Sequence, residues 1–240
     1  SIAIGKSAGA VITTAARSTS VGYKALNLLT VGNDNTAIGY EAALGSGSPN
    51  DHYSTTAVGA YAGTALESGS SNTFIGMNSG KANNDGYNNT FVGRDSGLAT
   101  TLGSHNIIIG AYAGDLLTTS GNNVLVGTNA GTAILAGQAV TDGTVAVGSS
   151  SLGKLTNGIG NTSIGYQALS ENLTGDYNTA VGYQSLNNAA VDGTAANVAV
   201  GYLAAAGLTS ATGVTAIGYK AGGNAIMTGG DNTLIGRGAG

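Results

Sequence analysis

The sequence predicts an all-β fold, a repeat solenoid built as a parallel β-roll of about fourteen 17-residue coils. Three observations predict it. An Ile-Gly or Val-Gly pair recurs fourteen times in 240 residues, with its glycine at positions 5, 22, 39, 59, 76, 93, 110, 127, 148, 165, 182, 201, 218 and 236. Nine of the thirteen spacings are 17 residues and the others are longer by one to four, and a fixed period of this size marks a solenoid. No charged side chain stands between the fourth residue before each glycine and the glycine itself, in any copy. Between copies lie turn formers such as Asn83-Asn84-Asp85-Gly86 and Thr174-Gly175-Asp176, which reach positive φ at low cost and bond their own backbone.

The strand comes first in each coil. The residue before the glycine is always Ile or Val, and two positions earlier the occupant is usually threonine, as in Thr36, Thr73, Thr90, Thr162, Thr179 and Thr233, with Ile2, Ile107, Val124, Val145 and Val198 as variants. β-branched residues fit a pleated strand, and these two positions share one face of it. The position between them is Ala in many copies, as in Ala37, Ala57, Ala146, Ala180, Ala199 and Ala216, and Phe74, Phe91, Ile108, Leu125 or Leu234 in others, so both faces read as buried, against the apolar and polar alternation of a strand with one wet face. The expected arrangement sends Ile/Val into the coil and Ala, Phe or Leu toward a second chain; a parallel homotrimer supplies that second chain.

The corner follows. The third residue after the glycine is always Ala or Ser and the fourth is Gly, Leu or Ala. A second apolar patch comes next, as in Val11-Ile12, Leu28-Leu29, Leu116-Leu117, Ile134-Leu135, Ala190-Val191 and Ile226-Met227, and is expected to form an outer strand. Asn precedes the inner strand in nine copies, Asn35, Asn72, Asn89, Asn106, Asn123, Asn161, Asn178, Asn197 and Asn232. Two roles fit it equally, an amide ladder along the axis or an Asx-turn at each corner.

Residues 1–240 read as one repeat domain, and the ends fall in mid-motif, as expected of a piece of a longer fibre. Twelve acidic and eight basic side chains are scattered singly, with no basic run to track a phosphate backbone, so nucleic acid is not an expected partner. No stretch reaches the roughly 18 apolar residues of a membrane-spanning helix, and the absence of cysteine removes disulfides and thiolate metal sites.

The motif Asn-Thr-Ala/Ser-Ile/Val-Gly-Tyr-x-Ala/Ser-Leu or its near copies, at residues 35–43, 161–169 and 178–186, resembles the repeats of bacteriophage tail-fibre proteins and of YadA-type trimeric autotransporter adhesin heads. That resemblance spans all fourteen repeats and implies a left-handed roll wound as a homotrimer, extracellular on a cell surface or virion. The seventeen-residue period is closer to the phage version.

No catalytic, cofactor or metal site is expected. His52 and His105 lie in different repeats without the converging groups that catalysis requires, and both read as surface turn residues. Tyrosine follows the glycine at Tyr23, Tyr40, Tyr166, Tyr183, Tyr202 and Tyr219; such a row offers amphipathic contact area to a glycan, a receptor or a subunit seam. His52 and Tyr53 in the insertion at 45–53, and the insertion at 136–143, are the other recognition candidates, because extra residues in a solenoid are displaced to its surface. The expected function is that of a rigid structural segment in an extracellular or virion fibre, not an enzyme. A glycan- or receptor-binding adhesin module is the alternative, followed by a self-stacking filament subunit or an ice-binding solenoid. The last needs an exposed threonine face.

Overall fold

The computed structural model describes residues 1–14, 17–46, 51–134, 142–188, 193–223 and 229–240. They form two compact units, Ser1–Gly121 and Asn122–Gly240. The first contains strands β1 (Ile2–Ile4), β2 (Thr19–Val21), β3 (Thr36–Ile38), β4 (Thr56–Val58), β5 (Thr73–Ile75), β6 (Thr90–Val92) and β7 (Ile107–Ile109). The second contains β8 (Val124–Val126), β9 (Val145–Val147), β10 (Thr162–Ile164), β11 (Gly175–Asp176), β12 (Thr179–Val181), β13 (Gly193–Thr194), β14 (Val198–Val200), β15 (Thr215–Ile217) and β16 (Thr233–Ile235).

Within each unit the three-residue strands pair in parallel with the equivalent strand of the next coil, in register. Thr73 faces Thr90, Phe74 faces Phe91 and Ile75 faces Val92; Thr162, Ser163 and Ile164 face Thr179, Ala180 and Val181. Seven such strands bound six turns in each unit, giving an all-β parallel solenoid of about 12 turns with coils of roughly 17 residues and, among the described residues, no helix. A separate two-residue parallel pairing joins β11 to β13.

The expected outer strand does not form among the described residues. The second apolar patch is a turn whose two residues divide their roles: Leu29 and Leu117 are wholly buried, while Leu28 and Leu116 are exposed. The patch therefore fills the coil from one residue only, and two successive residues pointing in and out satisfy a corner as well as a strand. Leu135, Ala190-Val191 and Ile226-Met227 lie outside the described residues.

The strand faces are the reverse of the expectation. The middle residue of each strand is the core residue: Ala37, Phe74, Phe91, Ile108, Leu125, Ala146 and Ala180 are all 0% exposed. The flanking Ile/Val side chains face outward, with Ile38 at 41%, Ile75 at 40% and Ile164 at 40% exposure, and the threonines beside them are half-buried. The interior has variable width because the fourth residue after the glycine compensates the middle one. Where the middle residue is Phe74 or Phe91, that corner residue is Gly80 or Gly97, and a Cβ on Gly80 would lie 2.5 Å from the Phe74 ring. Where the middle residue is Ser20, Ala146, Ser163 or Ala180, the corner is a buried leucine, Leu26, Leu152, Leu169 or Leu186.

Those leucines sit at φ near +50°. A left-handed conformation costs an ordinary residue about 1–2 kcal/mol, whereas burying a leucine contributes about 1.5–3 kcal/mol. Filling the coil outweighs the backbone strain.

The asparagines form an axial ladder. The Oδ1 of Asn89 accepts the backbone N–H of Asn106 at 3.0 Å, and Asn161 and Asn178 serve the N–H groups of Asn178 and Asn197 in the same way at 2.9 and 3.1 Å. Most of their Nδ2 groups also reach a carbonyl of the following corner, as Asn72 does to Gly86 at 2.7 Å, Asn89 to Gly103 at 2.8 Å and Asn161 to Gly175 at 2.8 Å. These amides are at most 1% exposed, and a buried amide is stabilising only when its donor and acceptor are both used.

Candidate interaction surface

Inverting the strand faces turns the most regular part of the sequence into surface. Every ladder strand presents a β-branched or threonine side chain, then Ile or Val, on its outer face, at spacings set by the strand rise along each coil and by about 4.8 Å between coils. In the first unit this face carries Thr36 with Ile38, Thr56 with Val58, Thr73 with Ile75 and Thr90 with Val92. In the second it carries Thr162 with Ile164, Thr179 with Val181 and Thr215 with Ile217. The face has no charge and its backbone is held by parallel ladders, so its side chains stand in straight rows.

Immediately beyond each glycine the tyrosines stack. Tyr23 and Tyr40 lie with ring centroids 5.1 Å apart and planes 19° apart, and Tyr61 meets the edge of Tyr40 at 5.2 Å. In the second unit Tyr166, Tyr183, Tyr202 and Tyr219 form a continuous pile at 5.2–5.3 Å with interplanar angles of 10–18°. Lys220 and Arg237 then approach the Tyr219 ring at 5.7 and 5.5 Å, a cation–π arrangement. Tyr183 and Tyr202 are thus covered on both faces by neighbouring rings, and only their edges and hydroxyls remain for another molecule. The structure brings the tyrosines into two groups, one per unit, and leaves Tyr53 apart from both, exposed in its own turn.

His52 is not a surface residue. Its side chain is 0% exposed, so it is removed from the contact candidates. It occupies the row seven residues before the glycine, where Gly69, Gly86, Gly103 and Gly175 stand in other coils, and the longer coil around it admits the ring. Its Nδ1 lies 3.3 Å from Asn35 Oδ1 while its carbonyl accepts Asn35 Nδ2 at 2.9 Å. Nε2 is buried with no hydrogen-bond partner among the described residues. Burial alone pushes the imidazole down to about 4. His105 does match the turn reading: it is exposed, at φ +60°, with its ring 5.0 Å from Tyr87. Residues 47–50 and 136–141 of the two insertions lie outside the described residues.

The buried histidine gives a pH dependence. An unfolded histidine titrates near 6.5 and the folded one at about 4, so the unfolded chain takes up the proton first as pH falls. The stability present above pH 6.5 is lost progressively toward pH 4, by about 3 kcal/mol at the limit. Denaturant unfolding at pH 7 and pH 4 should show this loss in the wild type and lack it in His52→Gln; equal pH slopes would contradict the placement.

Two charge pairs close on themselves at the surface. Arg17 meets Asp34 through two bonds at 2.6 and 2.8 Å, and the hydrogen bond from Arg17 holds the Asp34 carboxyl below its ordinary range. A shallow recess of about 310 Å³ in the second unit, lined by Asn129, Ser150, Lys154, Gln167 and Glu171 among others, contains a Lys154–Glu171 ion pair at 2.6 Å. Among the described residues no cluster of three or more His, Asp or Glu could hold a metal ion, and no helix is long and apolar enough to cross a membrane.

No family model, curated protein or solved structure matches this chain. The exposed Thr and Ile/Val rows were missed in the sequence because their apolar character read as interior. The distinguishing signal was present: the outer rows are uniform in size, whereas the middle row varies from Ala to Phe together with the corner residue, as only a shared interior requires.

Proposed function

We propose that this chain is a structural segment of an extracellular or virion fibre, wound as a parallel homotrimer with the Ile/Val rows of three copies directed to a common axis. The observation that carries the reading is the charge-free outer strand face, on which large apolar side chains such as Ile38, Ile75, Ile164 and Ile217 stand about 40% exposed in register. A contiguous apolar surface of this kind marks a contact site, and its one-dimensional regularity matches an identical partner laid parallel to it better than a globular one. The left-handed winding belongs to the same proposal and rests on the resemblance of the repeat. No role as an enzyme is proposed.

A glycan-binding adhesin module ranks below this reading, because sugar stacking needs an open ring face and Tyr183 and Tyr202 have none. The second reading with an observation in its favour is a monomeric ice-binding solenoid, since the face that carries the half-buried threonines is turned outward in the single chain. Thermal hysteresis from a monomeric sample would favour that reading.

Charge on the outer row separates the possibilities. Val181→Lys combined with Val200→Lys places two like charges per copy at the axis, where burial without a partner is strongly unfavourable. Light scattering should report three chains for the wild type and one for the variant, with the far-ultraviolet strand signal unchanged. A wild-type trimer that keeps its mass in the variant would place the contact elsewhere.

A further inference from the structure

We propose that in this trimer the tyrosine row of each copy lies against the threonine row of the next, with tyrosine hydroxyls bonding threonine hydroxyls across the seam. The inference rests on the trimer reading and specifies what that reading leaves open, namely which side of one copy meets which side of another.

The order of side chains across a coil fixes the choice. In the second unit three of the ladder strands present Thr, then Ile or Val, then after one glycine the tyrosine: Thr162, Ile164 and Tyr166; Thr179, Val181 and Tyr183; Thr215, Ile217 and Tyr219. A closed ring of three identical chains uses a heterologous contact, in which one flank of the surface meets the opposite flank of the neighbour. With Ile/Val at the axis, the two flanks are the threonine row and the tyrosine row, so each seam joins one of each.

The chemistry of the two rows is complementary and unused. Among the described residues the hydroxyls of Thr162, Thr179 and Thr215 have no hydrogen-bond partner within the chain, and neither do those of Tyr166, Tyr183, Tyr202 and Tyr219. The stacked rings hold each phenol at a fixed height, one per coil, and the threonines repeat with the same coil spacing. A hydroxyl both donates and accepts, so a parallel in-register neighbour satisfies the rungs of Thr162 with Tyr166, Thr179 with Tyr183 and Thr215 with Tyr219 in the same way. The exposed parts of one Ile/Val and one tyrosine come to on the order of 150 Å² per coil, so the four coils of the second unit that carry a tyrosine supply on the order of 600 Å² toward the ~800 Å² per partner of a stable interface.

The test uses the full chain with Tyr183 replaced by the photo-crosslinking residue benzoylphenylalanine, which is close to tyrosine in shape and inserts into C–H bonds in contact with it. Irradiation of the trimer should give covalent chain dimers and trimers on a denaturing gel, with tandem mass spectrometry placing the bond in the strands of Thr162, Thr179 or Val198 of another copy. A sample of trimer mass whose bonds fall elsewhere, or only within one chain, overturns the seam and leaves the trimer standing. A sample of monomer mass overturns both. As a second variant, Tyr183→Phe combined with Tyr219→Phe, whose coils carry Thr179 and Thr215, keeps the rings and removes two hydroxyls per seam; at least a tenfold weaker assembly by dilution light scattering is expected, and unchanged assembly overturns the hydroxyl contact.

Discussion

Gly76→Ala should unfold the coils around it. Gly76 has φ +129°, and a Cβ there would stand 2.5 Å from the carbonyl oxygen of Gly93 and 2.7 Å from its carbonyl carbon. Two costs combine. The backbone conformation is one that L side chains adopt only with strain, about 1–3 kcal/mol, and the clash is with backbone of the next coil, which cannot rotate away as a side chain could. Moving Gly93 would break the parallel ladder between Thr73–Ile75 and Thr90–Val92. The sum is at least about 4 kcal/mol, a large part of the stability of an ordinary domain. Gly143→Ala is the control, since Gly143 has φ +71° but nothing within 4 Å of its Cβ position. Thermal unfolding followed by circular dichroism should show a small decrease for Gly143→Ala and a loss of tens of degrees, or no folded protein, for Gly76→Ala. Equal small shifts would show that the coils are farther apart than the structure places them.

Asn89→Ala should be nearly as damaging, although alanine is smaller and creates no clash. Asn89 Oδ1 accepts from the Asn106 backbone N–H at 3.0 Å and from Asn106 Nδ2 at 3.3 Å, while its Nδ2 donates to Gly103 O at 2.8 Å. Truncation takes these partners from the buried Asn106 backbone N–H and the Gly103 carbonyl, while Asn106 Nδ2 keeps its bond to Ser120 O at 3.0 Å; at about 1–3 kcal/mol for each group, the expected loss is about 2–6 kcal/mol by denaturant titration. Asn232→Ala provides the comparison: Asn232 is exposed and bonds only locally, to Gly229 O at 2.6 Å, so about 1 kcal/mol or less is expected. If both variants lost the same small amount, the ladder would contribute no more than a turn.

The period, the strand positions and the parallel register were legible in the sequence because the glycine and its Ile/Val neighbour mark every coil. The direction of the strand faces was not. Sequence alternation separates inside from outside only when one face is polar, and here Thr179, Ala180 and Val181 offer no polar contrast beyond a hydroxyl. The core role of the middle residue is visible only through its partners, as when Phe74 requires Gly80. His52 escaped for a different reason. Its neighbours Asn50, Asp51 and Tyr53 make a typical turn composition, and the ring reaches the interior because its coil is lengthened by three residues. The positive φ of Leu169 and Leu186 was likewise hidden, since leucine is among the residues least expected there and only its complete burial explains it.

The tyrosine rows were legible as rows but not as stacks. Their spacing placed one ring per coil; the side-chain geometry then showed that Tyr183 and Tyr202 cover one another, which moves the row from a sugar platform toward a seam between chains.

The central claim is that the outer strand face is interior to an assembly of identical copies. Multi-angle light scattering on the folded wild-type chain tests it most directly. A particle of three 23.2 kDa chains is the predicted result, and a stable, soluble particle of one chain would contradict it.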